Sequence, residues 1–252
     1  EICIEYANKY PDKIRLFLRD RTLSHYVYSN GNEIMFNFNF CISEARGKYI
    51  ALCEGDDYWS DKEKLQLQYT LMENNPKVSL CIHAVERRLL SSRLYEDSFR
   101  GDIHDSESYT ANIVLKPKRL LSIKNYLNDE RGFDTSSYFF RTRYLVKIPE
   151  FVLHSLVGDQ CIVLICLYYG PAAYINRVMS VYRIGVENSW TAKMKSSFKL
   201  RFIHYRNYIE MLMRYSLWSK FRYSYLFILP IIIKSRGMVY DYRNYIHASN
   251  EH

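Results

Sequence analysis

Long hydrophobic runs are missing from this chain of 252 residues. The best apolar stretch, Tyr225 to Ile233, is interrupted by Pro230 and falls well short of the roughly 20 residues that cross a bilayer, which excludes a membrane-spanning helix. Paired cysteines are missing as well. Cys3, Cys41, Cys53, Cys81, Cys161 and Cys166 show none of the close spacings of zinc or redox sites, so both are set aside. Most of the six lie inside apolar runs and are expected to be small core residues in a reducing compartment. There is no internal repeat, low-complexity tract or signal-peptide pattern. No recognition motif accompanies the basic residues, so nucleic acid is not expected as a partner. The chain opens without a methionine on Glu1-Ile2-Cys3-Ile4-Glu5-Tyr6-Ala7, already helical in pattern, as expected of a fragment whose upstream part is missing.

What is present is a composition that can fold: 48% of residues are hydrophobic, enough for a substantial core. The net charge of +8 is concentrated at one end, because eleven Lys or Arg lie between Lys193 and Arg243 against only Glu210 and Asp241. An electrostatic partner is therefore to be sought at that end. Two units are expected, an α/β domain over residues 1–191 and a helical, basic and aromatic segment over residues 192–252.

Within the first unit, helical and strand-like stretches alternate. Ile2, Cys3, Tyr6 and Ala7 share a helix face that Pro11 ends, and Lys13 to Leu18 reads as a strand. From Glu33, the positions Ile34, Phe38, Cys41, Ile42 and Ala45 recur at helical spacing up to Gly47. Tyr49 to Cys53 is a short apolar run, as in a parallel strand covered on both faces. Ser60 and Glu63 have capping-box spacing before a helix whose buried face is expected at Leu65, Tyr69 and Met72. Val78 to Val85 alternates like a strand with unlike faces, and Glu86 to Thr110 is polar and patternless. A helix near Lys118 to Leu127, a strand at Ser137 to Phe140, a helix from about Asp159 to Tyr169 and a strand from Ala173 to Arg183 complete the unit.

Glu54, Asp56 and Asp57 follow the Tyr49–Cys53 run, at the strand end where open α/β sheets bind ligands. Carboxylates so close repel one another, and a divalent cation relieves that repulsion. Hard oxygen ligands, few of them from protein, suit Mg²⁺ or Mn²⁺ held jointly with a diphosphate. The alternative is that Asp56 or Asp57 merely caps the next helix.

Glu44 to Trp59, with Ser60-Asp61 and Lys64-Leu65-Gln66 after it, resembles the central motif of family 2 glycosyltransferases of bacterial polysaccharide synthesis and the cell envelope. In that motif a Gly-Lys-Tyr-Ile strand runs into an Asp-Asp-Tyr-Trp turn. The resemblance extends from the first helix through the strand near Val78 and returns from Thr135 to Thr191. It implies a GT-A fold, a doubly wound and mostly parallel sheet that here lacks its first strand, and a nucleotide-sugar donor, UDP-sugar in the first instance. Glu54-Gly55-Asp56 then stands at the family's DxD position. Asp56 becomes the metal ligand, with Glu54 and Asp57 supporting the ion or the donor's ribose, and the cofactor is Mn²⁺ or Mg²⁺.

By the same resemblance Asp159 in Gly158-Asp159-Gln160 is the catalytic base, which takes a proton from an acceptor hydroxyl as that oxygen attacks the anomeric carbon with inversion. Read from the residues alone, Asp159 is an N-cap. Asn39 matches a donor-pocket asparagine, or is a polar residue beside a packed face. Arg183 meets donor phosphate, or is a surface charge. Tyr58 and Trp59 offer aromatic faces to an acceptor sugar, or belong to the core. Thr135-Ser136-Ser137 resembles a small-residue segment near the acceptor site. In many relatives a metal-binding histidine follows the Tyr-Arg pair matching Tyr182-Arg183; that place is Gly185 here, with Glu187 as a substitute.

In the basic segment, Phe198, Phe202, Tyr205, Tyr208 and Leu212 recur at helical spacing between cations, a pattern suited to an anionic membrane surface or to packing on the domain. The expected protein is a metal-dependent inverting glycosyltransferase acting on a glycan or lipid-linked acceptor, cytoplasmic and peripheral on the inner face of the plasma membrane. The competing readings are a sugar-nucleotide nucleotidyltransferase, which would need a glycine-rich phosphate loop not in view, and an inactive glycan- or membrane-binding remnant.

Overall fold

The computed structural model describes residues 1–18, 39–89, 98–100, 119–128, 134–145, 147–153, 155, 157–184 and 197–250. The start of the helix expected from Glu33, the positions Gly185 and Glu187, most of the polar stretch up to Thr110 and the boundary at residue 191 lie outside the described residues. The elements are α1 (Ile2–Lys9), β1 (Tyr49–Ala51), β2 (Tyr58–Trp59), α2 (Lys64–Asn74), β3 (Leu80–Leu89), β4 (Ser98–Arg100), β5 (Arg119–Leu121), α3 (Ile123–Asn128), β6 (Phe139–Arg141), α4 (Glu150–Leu153), α5 (Gly158–Tyr169), β7 (Ala172–Ile184), α6 (Phe198–Trp218) and α7 (Ile228–Asn250), with short 3₁₀ turns at Thr135–Ser137, Thr142–Tyr144 and Ser224–Phe227.

The sheet runs β1-β6-β3-β7-β2, with β4 on β3 and β5 on β7. β3 and β7 are parallel from Leu80↔Ala172 to Leu89↔Ile184. β6 is antiparallel to both β1 and β3, so β1, β3 and β7 share one direction and β6 is inserted against them. The α/β class expected from the sequence is present, but the sheet is mixed and not mostly parallel: among the described residues β3–β7 is the one parallel pairing, because β6 is inserted between β1 and β3. β1 is not the doubly covered parallel strand its apolar run suggests. It pairs with antiparallel β6 at one end of the strand order, and of its residues only Ile50 is buried.

β3 does alternate, but both of its faces are covered. Leu80 and Ile82 join the larger core cluster with α5, while Cys81 joins Leu71 and Met72 of α2 on the other side. A three-layer arrangement of helix, sheet and helix follows, in which α5 is buried nearly all round and α2 along one stripe. Met211, Leu212 and Tyr215 of α6, with Phe227, belong to the same cluster as α5, and the Tyr215 hydroxyl donates to the Leu164 carbonyl at 3.2 Å. Helix α6 is thus packed into the core of the sheet domain.

Several sequence expectations give way. Residues 14–18 form no strand, because no described strand runs beside them to take their backbone hydrogen bonds; Arg15 instead pairs with Glu44 at 3.3 Å and Phe17 meets Phe40 edge-on. The helix ahead of β1 is described over 39–43 and stops short of Gly47. The stretch near Lys118 to Leu127 divides into β5 and α3, since Ser122 and Asn125 exchange hydrogen bonds that start the helix at Ile123. Cys81, Cys161 and Cys166 are buried as expected, whereas Cys3, Cys41 and Cys53 are exposed. Ser60 caps nothing among the described residues: α2 begins at Lys64, where Asp61 accepts the Glu63 N–H at 2.8 Å.

Two contacts lock the frame. Arg141 is buried, and its guanidinium donates to the carbonyls of Val78 at 3.1 Å and Met72 at 2.7 Å and to the Tyr49 hydroxyl at 2.7 Å, joining β1, β6 and the α2–β3 connection. Gly170 passes so close to Lys77 that a Cβ would overlap the Lys77 carbonyl, and the Ser79 hydroxyl donates to the Gly170 carbonyl at 2.8 Å. Gly170→Ala is expected to cost about 1–3 kcal/mol through this overlap, read as a lower denaturant midpoint at unchanged slope.

His83 of β3 is buried, with Nδ1 2.8 Å from the Ala84 carbonyl, and burial pushes its pKa down to about 3. Because the folded value lies below the unfolded one, the stability tied to a neutral ring is complete above about pH 6.5 and is lost as the pH falls toward 3. Between pH 6.5 and about 5 this loss amounts to about 2 kcal/mol. Melting curves at the two pH values are expected to converge by about that amount in His83→Gln relative to the parent.

Candidate active site

The carboxyl ends of β1 and β7, the start of β6 and the amino end of α5 meet at one edge of the sheet, as the shared direction of β1, β3 and β7 requires. After β1 the chain turns sharply, with the Asp57 N–H closing on the Glu54 carbonyl at 3.1 Å, and returns as β2 against β7. The end of β7 holds this turn. The Arg183 backbone N–H donates to Asp57 Oδ1 at 3.1 Å, and its guanidinium donates to the carbonyls of Asp56 and Gly55.

The turn gathers negative charge. Asp57 is buried, and desolvation, followed by the charges of Asp56 and Asp134, pushes its pKa up to about 6 against the opposing Arg183 hydrogen bond. Glu54 is exposed as a residue, and its carboxyl accepts a hydrogen bond from Thr135 and feels the charges of Asp57 and Asp159. Desolvation, with the charges of the two aspartates, pushes its pKa up to about 7, while the Thr135 hydrogen bond opposes the rise. Asp56 is half-buried, and the hydrogen bonds from Arg183 fall on its carbonyl rather than its carboxylate.

Asp159 lies in the first turn of α5, whose N-cap is Val157, so the expected cap position is displaced by two residues. Its carboxylate accepts from the N–H groups of Asp159 and Gln160, and burial raises its pKa in spite of them. Because α5 leads directly into β7, which shares the direction of β1, the amino end of α5 lies toward the same edge of the sheet as the acidic turn. Residues separated by about a hundred positions thereby line one site.

Tyr58 and Trp59 are both part-exposed at the rim, neither buried in the core nor free. The Tyr58 hydroxyl accepts from Arg88 at 3.1 Å, the Trp59 indole donates to the Leu52 carbonyl at 3.2 Å, and the Lys64 ammonium stands 4.4 Å from the Trp59 ring centroid. Asn39 is buried, and its Oδ1 has no hydrogen-bond partner among the described residues.

Sequence reading missed the polar support behind this edge. The buried stripe of α2 is Lys64, Gln68, Leu71 and Met72, while Leu65 and Tyr69 are exposed. Lys64 donates to Gln68 Oε1 at 2.8 Å, and Gln68 Nε2 donates to the carbonyls of Ser137 at 2.8 Å and Cys81 at 3.3 Å, tying α2 to the loop that carries Thr135. Burial pushes the Lys64 pKa down to about 8. Asp134, next to Thr135, is paired with Arg87 of β3 at 2.7 Å. An apolar-periodicity search cannot find such residues; the i, i+4 spacing of Lys64 and Gln68 was the one available signal.

The donor set suits a small divalent cation that takes most of its ligands from elsewhere. Desolvation, with neighbouring carboxylate charge, raises the Glu54 and Asp57 pKa values toward neutral pH, a cost that bound positive charge would relieve. Among the described residues no three His, Cys, Asp or Glu side chains form a cage of their own.

The mixed α/β sheet, with β6 reversed in its frame and an acidic turn after β1, is of the GT-A type. The model of the family described as glycosyl transferase family 2 matches residues 1–144, more than half of the chain, and the chain belongs to that family. It is also 40% identical over 81 residues to Uncharacterized protein Rv1520 of Mycobacterium tuberculosis (strain ATCC 25618 / H37Rv) and, with the same figures, to Uncharacterized protein Mb1547 of Mycobacterium bovis (strain ATCC BAA-935 / AF2122/97). Each match takes in 32% of this chain and 21% of the relative's own length.

Because Arg183 secures the turn through its carbonyls, Arg183→Ala is expected to speed amide hydrogen exchange at residues 55–57 by about tenfold or more, while the core strands keep their protection.

Proposed function

We propose that the chain forms the core of an inverting glycosyltransferase that moves a sugar from a nucleoside-diphosphate sugar, a UDP-sugar in the first instance, to a hydroxyl of a glycan or lipid-linked glycan. The observation that supports this reading is the topology, in which the acidic turn after β1 and the amino end of α5, with Asp159, lie toward the same edge of the sheet. Asp56 would hold Mn²⁺ or Mg²⁺, with Glu54 and Asp57 beside it, and the bound ion would stabilise the negative charge that grows on the departing nucleoside diphosphate.

The chain's own residues do the rest. Arg183 keeps the turn in register with β7 by bonding to the Asp57 carboxylate and to the carbonyls of Asp56 and Gly55. Asn39 offers a buried, unpartnered amide oxygen to a donor hydroxyl or base. Trp59, with Lys64 stacked on it, and Tyr58 give the acceptor sugar a rim to lie against. Asp159, held by the first N–H groups of α5, accepts the proton of the attacking hydroxyl. We place the reaction on the cytoplasmic side of the plasma membrane. No helix of the described residues is long and apolar enough to cross a membrane, and association would be peripheral.

In the whole protein, Asp159→Asn is expected to lower sugar transfer by about 10²–10⁴-fold with the donor still bound, measured by single-turnover transfer and donor titration. Asp56→Ala is expected to abolish Mn²⁺-stimulated hydrolysis of UDP-sugar at an unchanged melting temperature. Full transfer by Asp159→Asn would remove the base from this scheme.

A further inference from the structure

The outward side of α7 carries apolar residues that nothing among the described residues covers. Ile228, Leu229, Ile232, Ile233, Val239 and Tyr240 are 61%, 57%, 42%, 54%, 52% and 68% exposed, and their spacing places them on one stripe of the helix. Phe221 and Tyr225, in the turn that leads into α7, are 63% and 70% exposed. Contiguous apolar surface of this kind marks a contact face.

This is not the face that sequence periodicity selects. Phe198, Tyr205 and Tyr208 are part-buried, Leu212 is buried and Phe202 is 37% exposed. Phe198 lies against Tyr242 of α7, Lys234 of α7 stands over the rings of Tyr205 and Tyr208, and Gly237 packs on Tyr205. Phe198, Tyr205 and Tyr208 of that stripe are engaged by α7 and Leu212 by the core with α5, and the opposite side of α7 is turned outward.

Charge determines which occupant fits. Arg236 and Arg243 lie on the exposed stripe, where they border a furrow with Ile232, Val239 and Tyr240, and Lys220 and Arg222 stand at its start. The acids of this region among the described residues, Glu210 and Asp241, are already paired with Arg214 at 2.8 Å and Arg201 at 3.0 Å. A second copy seated on the stripe would bring Arg236 and Arg243 against the same cations without a carboxylate to answer them. An anionic bilayer supplies both missing partners, an apolar layer for the aliphatic side chains and negative headgroups for the arginines, which can extend past their own apolar stems to reach them.

We propose that α7 lies in the interfacial plane of an anionic lipid bilayer, inserted through Ile228, Leu229, Ile232 and Ile233 with Arg236 and Arg243 at headgroup level. The stripe from Ile228 to Arg243 is about 22 Å long, so the contact is parallel to the surface and not across it. This docking surface goes beyond the proposed sugar transfer and does not depend on it.

Co-sedimentation of the full chain with mixed phosphatidylcholine and phosphatidylglycerol vesicles, against pure phosphatidylcholine vesicles, tests the proposal. Binding to the mixed vesicles alone is expected, and it should weaken with added salt. Ile232→Ser with Ile233→Ser is expected to reduce it by roughly tenfold or more. Arg236→Gln with Arg243→Gln is expected to reduce it by roughly thirtyfold. All four positions are exposed, so the melting temperature should not move. Equal binding to both vesicle types, no binding to either, or parent-like binding by the serine variant overturns the proposal. So does a solution dimer that the serine substitutions dissolve, because a second copy would then own the face.

Discussion

The grip of β7 on the acidic turn is the contact on which the candidate site rests. A turn carrying Glu54, Asp56 and Asp57 would splay under its own charge, and the Arg183 N–H and guanidinium oppose that by bonding to one carboxylate and two carbonyls. The arrangement leaves negative charge concentrated instead of neutralised. Desolvation and neighbouring charge raise the pKa values of Glu54 and Asp57, and a ligand that brings positive charge would relieve that cost.

The layers behind the turn explain how it is kept in place. Reversed strand β6 lets the loop with Asp134 and Thr135 arrive at the same edge as the ends of β1 and β7. Arg87 secures Asp134, and Gln68 reaches the Ser137 carbonyl from α2 on the other side of the sheet. Lys64 connects this polar chain to Trp59 and so to the rim. Directional hydrogen bonds between buried polar groups hold one geometry more strictly than apolar packing does, which is what a site requires of its support.

Helices α6 and α7 tie a second surface to the same core. Tyr215 and Phe227 fix the hairpin to α5, and the ring contacts of Phe151, Tyr168 and Trp218 surround that junction. With one side of each helix committed to packing, the geometry of the hairpin decides which apolar residues remain outside.

Much of the site was legible in the order of residues. Glu54, Asp56 and Asp57 are adjacent in the chain, and a run of apolar residues ending in acids marks the end of a strand whatever the neighbours of that strand are. The helices of the carboxyl-terminal third and the strand β7 were equally plain, because their periods are long and unbroken. Nothing in the order of residues shows that β1 pairs with a reversed β6, that Lys64 and Gln68 are buried while Leu65 and Tyr69 are not, or that Phe198, Tyr205 and Tyr208 would be engaged by α7. Those outcomes depend on which partner occupies each face. Local pattern records a side chain's preference for burial, whereas its neighbour is chosen by chain segments a hundred residues away. Sequence alone therefore determined the acidic turn, the alternation and the basic end. Tertiary structure decided what the turn faces, what supports it and which apolar surface is left to meet a partner, because burial and hydrogen bonding are properties of pairs brought together in space.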